Sequence, residues 1–325
     1  MKRTLVIGAT GFVGRALVPA LVREGHQVRA TTRDLARAKR MTHVDWIACD
    51  VNRGDEVERA VEDVDAVFFL VHGMGSTGAR DYAETERRAA ERLRDAAARA
   101  GVKRIVYLGG VAPSGEPSEH LKSRLRVGEI LRAGKVPTIE LRASMIVGAG
   151  SASWQIVRDL AMRLPAMILP AWTASRTRPV AIDDVVVALV RALDVPLAES
   201  AWFDIPGPDT LSAQEILSII AAIHDRRVPA VPVPFLGVSI SSWWLKLVTR
   251  ADFSLARELV LGLKGDLLPR DERYWERIGY APKWNFEAAA RAALAEEAVE
   301  SSARGVAATL EESIVQLVSP KLSRV

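Results

Sequence analysis

The chain has 325 residues, enough to bury a large core as one domain or as a nucleotide-binding domain with a smaller companion. Hydrophobic residues make up 49% and charged residues 26%, which is the composition of an ordinary globular protein. The net charge of +4 is small for this length, and arginine and glutamate alternate along 84–99 as on a solvated helix face, so no nucleic-acid partner is expected.

The cysteine count and the hydropathy pattern exclude several classes of protein. The single cysteine, Cys49, excludes a disulfide framework or a cysteine metal site within one chain, and the five scattered histidines show no ligand spacing, so no metal site is expected. No apolar run reaches the roughly 20 residues needed to span a bilayer, and no signal peptide precedes the first strand. The expected location is therefore the cytoplasm.

The first fourteen residues predict a binding site for a diphosphate. Residues 4–7 form a short apolar run typical of a buried parallel strand, and Gly8, Gly11 and Gly14 follow before apolar residues recur at helical spacing. A strand, a glycine turn and a helix N-terminus gather free backbone N–H groups at the positive end of the helix dipole. The alternative is a structural turn that merely needs glycines, but the strand before and the helix after favour a dinucleotide site.

Strands and helices alternate five times over residues 4–108. After the first helix we predict, in order, a strand at 27–32, a helix opening at 33–36, a strand at 44–49, a helix at 55–61, a strand at 64–71, a long helix at 82–100 and a strand at 104–108. The short connections indicate right-handed βαβ units and an α/β fold of the Rossmann type, with a doubly wound parallel sheet.

The second half continues the sheet and then changes in composition. We predict a helix at 120–133, strands at 138–141, 180–182 and 202–205, and a helix that begins with Asp183 as N-cap and Asp184 as a first-turn acid. The expected Rossmann domain is 1–205, with 145–178 partly in the substrate region. Residues 206–325 would be a smaller, mostly helical C-terminal region with a helical tail beyond about 297.

The end of the second strand bears on the choice of dinucleotide. An acid there usually holds the ribose 2′-hydroxyl, but this strand ends in Thr32 and Arg33 follows. A guanidinium suits a 2′-phosphate, so NADP(H) is expected over NAD(H), although the next residue, Asp34, is acidic. Alternatively, Arg33 is only a solvated first-turn residue. Asp50 and Val51, after the third strand, would bracket the adenine, or Asp50 would be a plain N-cap.

Several motifs together resemble the atypical and extended short-chain dehydrogenase/reductase superfamily. They are the run GATGFVG at 8–14, the pairs Thr-Arg at 32–33 and Asp-Val at 50–51, and the run RPVAIDD at 178–184. Weaker similarities lie at 205–212 and 279–282. The NmrA-like, NAD(P)H-binding members are the most similar, and the resemblance spans residues 3–290. It implies a Rossmann domain that binds a nicotinamide dinucleotide and a C-terminal region that closes over a substrate cleft.

The glycine turn and the ends of the predicted strands supply the expected cofactor contacts. These contacts are Gly8, Thr10, Gly11, Phe12, Val13, Gly14, Thr32, Arg33, Asp50, Val51, Leu70, Val71, His72 and Gly109. His72 would line the nicotinamide-side ribose, although a loop histidine is equally ordinary there.

The residues that usually carry catalysis in this superfamily are absent. Its reductases place a Tyr-x-x-x-Lys pair on the helix after the fifth strand and a serine at the strand's end, but this chain has no tyrosine from 108 to 273 and the strand ends in Gly109-Gly110. His120 and Arg124 have the spacing of that pair, on one helix face. An imidazole titrates near neutrality and would transfer a proton, with Arg124 lowering its pKa. Alternatively, His120 only begins the helix and Arg124 contacts ribose or solvent.

Large apolar residues bear on the substrate and on partners. If these residues line the cleft, they favour a small hydrophobic or aromatic substrate; the alternative for each is packing in the core. The residues are Trp154, Met162, Met167, Trp172, Trp243 and Trp244. The adjacent pair at 243–244 cannot face one way on a helix, so one tryptophan would reach a partner surface or a membrane interface. Peripheral membrane contact therefore stays open, as does the oligomeric state.

Two functions remain open at this point. The first is an NADPH-dependent oxidoreductase acting on a hydrophobic carbonyl, enone or quinone-like substrate through a non-standard active site. The second is a non-catalytic NADP(H)-binding protein with a redox-sensing, regulatory or accessory role, as the NmrA-like resemblance implies. The missing tyrosine and lysine favour the second function, whereas the intact cofactor turn and the expected apolar cleft favour the first.

Overall fold

The computed structural model describes residues 1–71, 79–163, 167–169, 174–226, 230–232, 265–299 and 301–302. Its strands are β1 Arg3–Ile7, β2 Gln27–Thr32, β3 Val44–Ala48, β4 Ala66–Phe69, β5 Arg104–Gly110, β6 Thr138–Ala143, β7 Ile146–Val147, β8 Met167–Leu169, β9 Arg176–Thr177, β10 Val180–Ala181, β11 Ala201–Asp204, β12 Leu211–Ser212 and β13 Ala230–Pro232. Its helices are α1 Phe12–Arg23, α2 Gly54–Val61, α3 Ala79–Arg99, α4 Glu119–Arg132, α5 Ala152–Arg163, α6 Ile182–Arg191, α7 Ala213–Ile223, α8 Arg273–Arg277 and α9 at 286–299, with a 3-10 turn at Leu35–Arg37. Within these residues, no helix combines the length and the apolar character needed to cross a membrane.

Seven strands form one parallel sheet in the order β11-β6-β5-β4-β1-β2-β3. β1 pairs with β2 on one side and with β4 on the other, so the direction of the strand order reverses beside β1. Such a reversal opens a crevice at the carboxyl ends of the strands, where ligands of doubly wound folds bind. The predicted parallel sheet of the Rossmann type is confirmed.

The central strand β1 buries side chains on both faces of the sheet. Val6 packs in one apolar cluster with Leu17 and Leu21 of α1, whereas Leu5 and Ile7 pack in another with α2, α3 and α4. The alternation follows from the two-residue period of a strand. Helices therefore cover both faces, which is why this strand appears in the sequence as an unbroken apolar run.

Helices α5, α7 and α9 form a third apolar cluster. Trp154 of α5 is fully buried in it, beside Ile220 of α7 and Phe286 of α9. The Trp154 indole N–H donates to the Glu297 carboxylate at 3.2 Å, so the tryptophan serves helix packing, the second interpretation given above. Of the other apolar candidates, Met162 is half-buried near the end of α5. The remaining four have side chains outside the described residues: Met167, Trp172, Trp243 and Trp244.

Asp184 ties the C-terminal segment to α6. Its carboxylate is fully buried and accepts hydrogen bonds from the Tyr280 hydroxyl at 2.6 Å and from the N–H groups of Lys283 and Trp284 at 3.1 and 3.3 Å. The predicted N-cap role of Asp183 is wrong, because β10 runs directly into a helix that begins at residue 182. Both acids instead lie in the first turn of α6.

We predict that Asp184→Ala lowers the free energy of unfolding by about 2–4 kcal/mol, because three donors lose a buried acceptor. Asp183→Ala is the matched control: it also removes a first-turn acid, but its side chain is exposed, and the expected loss is below about 1 kcal/mol. Urea unfolding of both variants measures the difference. Equal losses would show that the three hydrogen bonds to Asp184 contribute nothing to stability.

Candidate functional site

The glycine turn after β1 depends on close backbone contacts. Gly8 has a φ of +91°, a backbone conformation that residues with a side chain rarely adopt. A Cβ built on Gly14 would overlap the Gly8 carbonyl and lie only 2.6 Å from the Cα of Ala9. A Cβ on Gly11 would lie 3.2 Å from the same carbonyl oxygen. The three glycines therefore allow α1 to start directly against the end of the strand.

The N-terminus of α1 offers free donors at the carboxyl edge of the sheet. Gly11 is the N-cap and accepts from the Arg15 N–H at 2.9 Å, but it has no side chain to cap the first turn. The first turn of a helix leaves its N–H groups without helical partners, here those of Phe12, Val13 and Gly14. These donors and the helix dipole fit a diphosphate without any side-chain charge.

Neighbouring residues close the turn from the side of β4. A Cβ on Gly8 would meet the Leu70 carbonyl carbon at 3.2 Å and the Val71 side chain at 3.3 Å. Leu70 is buried and Val71 half-buried, as is Thr10 within the turn. His72, the next expected contact, lies outside the described residues.

The carboxyl end of β2 carries the residues expected to face the adenosine ribose. Thr32 is buried, and its hydroxyl accepts from the Asp34 N–H at 3.1 Å and donates to the Asp34 carbonyl at 2.9 Å. The Asp34 carboxylate caps the 3-10 turn by accepting from the Ala36 N–H at 2.9 Å. Arg33 and Asp34 are both exposed at this strand end, and Arg33 has no ion pair among the described residues.

Asp50 and Val51 lie half-buried after β3, beside the end of β2. The Asp50 carboxylate accepts from the N–H and the side-chain amide of Asn52 at 2.9 and 3.0 Å, which makes a local turn. α2 begins only at Gly54, with Arg53 as its N-cap. The alternative that Asp50 is an N-cap is therefore wrong, because three residues separate it from the helix.

Arg124 of α4 fills the place that a side chain at the end of β5 would occupy. Its guanidinium donates to the Leu108 carbonyl at 2.8 Å, and a Cβ on Gly110 would lie 3.3 Å from its Nε. The Tyr107 hydroxyl donates to the Arg124 carbonyl at 3.0 Å. Arg124 thus links the helix to the strand end beside Gly109.

His120 lies in the first turn of α4, two residues after the N-cap Ser118. Burial, and secondly the charge of Arg124, lowers the pKa of His120 to about 3. The imidazole is therefore neutral at pH 7, and Arg124 lowers its pKa in the direction expected from the sequence. A neutral imidazole still donates one ring N–H hydrogen bond.

A buried carboxylate, not expected from the sequence, sets the approach of α4 to the sheet. Glu140 of β6 is fully buried and accepts at 2.8 Å from the Nε of Arg132 in α4 and at 2.8 Å from the Nε of Arg142 in its own strand. A Cβ on Gly128 would overlap this carboxylate, and one on Gly109 would lie 2.9 Å from it. The available signal was one acid inside an apolar strand, and no spacing in the sequence indicates its partners.

The loop between β5 and α4 is held by a distant segment. The Ser114 N–H donates to the Asp266 carbonyl at 2.9 Å, and the Asp266 N–H donates to the Ser114 hydroxyl at 3.1 Å. The Arg270 guanidinium donates to the Pro113 carbonyl at 2.9 Å. Residues 265–271 therefore cross the loop that leads to His120, a contact between residues 152 positions apart that no local pattern reveals.

Comparisons with known proteins agree with this geometry. The family described as NAD(P)H-binding matches residues 8–161, which include the glycine turn, β5 and His120. Residues 8–161 are an NAD(P)-binding Rossmann domain. Its structural neighbours lie in the extended short-chain dehydrogenase/reductase family, among NAD-dependent epimerases and dehydratases.

Individual relatives of this Rossmann protein differ in what they do. The chain is 28% identical to a dTDP-6-deoxy-L-talose 4-dehydrogenase (NAD(P)(+)) of Kitasatospora kifunensis, over 79% of this chain and 89% of that protein. It is 25% identical to mouse mitochondrial NADH dehydrogenase [ubiquinone] 1 alpha subcomplex subunit 9, over 85% and 76%. Among solved structures, MoeE5 in complex with UDP-glucuronic acid and NAD superposes with a TM-score of 0.69 at 19% identity, over 89% and 97%.

We predict that Gly14→Ala abolishes dinucleotide binding by the Rossmann domain, tested with both NADH and NADPH. The reason is that α1 would move away from the Gly8 carbonyl, so its free N–H groups would no longer point at one diphosphate. Gly54→Ala is the control, since a Cβ there meets nothing within 4 Å. It should bind NADPH as the wild type does in isothermal calorimetry. Wild-type affinity in Gly14→Ala would contradict the assignment of the turn.

Proposed function

We propose that the chain binds NADP(H) and acts as an NADPH-dependent oxidoreductase on a hydrophobic carbonyl, enone or quinone-like substrate. One observation carries the proposal: the diphosphate turn lies beside a β2 end where Arg33 is exposed without an ion pair among the described residues, while the exposed acid next to it, Asp34, caps the 3-10 turn. When bound, the nicotinamide would supply or accept a hydride. The chain's own residues bind the dinucleotide, orient the substrate and control its proton.

The preference for NADP(H) rests on the charges at the end of β2. A carboxylate there would hold the two ribose hydroxyls of NAD(H) and repel a 2′-phosphate. The Asp34 carboxylate instead accepts from the Ala36 N–H, and the Thr32 hydroxyl bonds to the main chain. Arg33 would therefore meet the 2′-phosphate with a planar, permanently charged guanidinium.

The catalytic role assigned to His120 differs from that of an ordinary general acid. Its depressed pKa keeps the imidazole neutral, so it would donate a ring N–H to the substrate oxygen without becoming charged. Arg124, held at the end of β5 by Leu108, would add a fixed positive charge where negative charge develops on that oxygen. Water would then deliver the proton.

A second function is favoured by the absent Tyr-x-x-x-Lys pair. The chain would then bind NADP(H) as a structural ligand or redox-state signal, in a regulatory or accessory role. The similarity to the mouse NADH dehydrogenase subunit supports this alternative. It predicts the same cofactor preference as the first function but no turnover.

We predict that NADPH binds at least about tenfold more tightly than NADH, because charge-assisted hydrogen bonds to the 2′-phosphate are worth about 1.5–3 kcal/mol. Arg33→Ala should remove most of this preference, whereas Arg23→Ala, which removes an exposed charge at the end of α1, should keep it. Isothermal calorimetry with both dinucleotides measures the ratio. Equal affinities in the wild type would contradict the role of Arg33.

We predict that His120→Ala slows NADPH oxidation about 100-fold or more on whichever of phenanthrenequinone, cinnamaldehyde and menadione the wild type reduces, since a lost oxyanion donor has an effect of about that size. NADPH affinity should stay unchanged. The pH profile of kcat/KM should show no inflection near 6.5 from this residue, because its pKa lies near 3. Unchanged turnover would remove His120 from the reaction, and an inactive wild type that binds NADPH would favour the second function.

A further inference from the structure

The segment between β2 and β3 exposes apolar and basic side chains together. Leu35 and Met41 are 52% and 40% exposed, and they are two of the four exposed large hydrophobic residues in the described part of the chain. Arg37, Lys39 and Arg40 lie exposed between them. These five residues are called the basic–apolar patch below.

Hydrogen bonds hold the patch in this arrangement. The 3-10 turn that carries Leu35 and Arg37 is capped by Asp34. The Trp46 indole N–H donates to the Lys39 carbonyl at 2.9 Å, and the Val44 N–H donates to the Met41 carbonyl at 3.2 Å. The exposure of Leu35 and Met41 is therefore built into the folded chain.

The cations of the patch differ from the paired arginines of α3. Within the described residues, Arg37, Lys39 and Arg40 form no ion pair. On α3, by contrast, Arg87 pairs with Glu84 at 2.7 Å and Arg99 pairs with Glu58 of α2 at 2.7 Å. The patch thus presents three cations and, beside them, one exposed acid, Asp34, so its net positive charge is available to an anionic partner.

We propose that the basic–apolar patch docks on a membrane surface that contains anionic phospholipids. Headgroup phosphates would neutralise the three cations, while Leu35 and Met41 enter the boundary of the acyl chains. A nucleic acid or an acidic protein would also neutralise the charges. Neither offers an apolar environment for Leu35 and Met41, which the acyl chains of a membrane provide. The proposal goes beyond the proposed reaction and does not depend on it.

Co-sedimentation of the full chain with vesicles tests this docking. The chain should bind mixed phosphatidylserine and phosphatidylcholine vesicles at about 0.1 M salt. Binding should weaken at higher salt, which screens the charges, and should be absent with vesicles of phosphatidylcholine alone. Arg37→Gln/Arg40→Gln should weaken binding about 30-fold, since each cation near an anionic surface strengthens it about fivefold. Leu35→Gln/Met41→Gln, which keeps the charge, should weaken it about tenfold.

A charge-matched control separates the patch from the net charge of the chain. Arg23→Gln/Arg191→Gln removes two exposed cations from the ends of α1 and α6 and should bind vesicles as the wild type does. Absent binding to phosphatidylserine vesicles, or equal weakening in this control, would overturn the proposal. An unchanged Leu35→Gln/Met41→Gln variant would also overturn it and would point to a soluble polyanion, with RNA and polyglutamate as the probes.

Discussion

The contact between α1 and the Gly8 carbonyl is the constraint on which the site depends. Because Gly14 has no side chain, the helix starts against the strand end and directs its free N–H groups into the crevice beside β1. The strand order places β4 on one side of this crevice and β2 on the other. Leu70 and Val71 close the turn from β4, and Arg33 lies at the end of β2. One close backbone approach thus aligns the diphosphate site with the two strand ends that flank it.

A second buried interaction joins α4 to β6. Glu140 holds Arg132 of α4 and Arg142 of β6, and Gly128 lets the helix approach that carboxylate. The same helix brings Arg124 to the end of β5 and carries the half-buried His120 in its first turn. Desolvation and the charge of Arg124 lower the pKa of His120, so α4 carries a neutral imidazole near a fixed cation.

The sheet could be predicted from the sequence because its central strands, β1, β4, β5 and β6, are buried on both faces. The strand at 27–32 has the predicted bounds, and the others differ by a few residues at their ends. Helix caps were harder, since the roles of Asp50 and Asp183 depend on main-chain geometry that local composition does not determine. The glycine turn was visible because its contacts lie within seven residues. Glu140 and the segment that holds Ser114 were not, because their partners come from other elements or from residues far along the chain.

A crystal structure of the chain with NADPH would test the account most directly. We expect the diphosphate on the N–H groups of Phe12 and Val13, the 2′-phosphate on Arg33, and the nicotinamide on the side of His120 and Arg124. A dinucleotide whose adenosine ribose faces a carboxylate at the end of β2, or whose diphosphate lies away from the glycine turn, would contradict it.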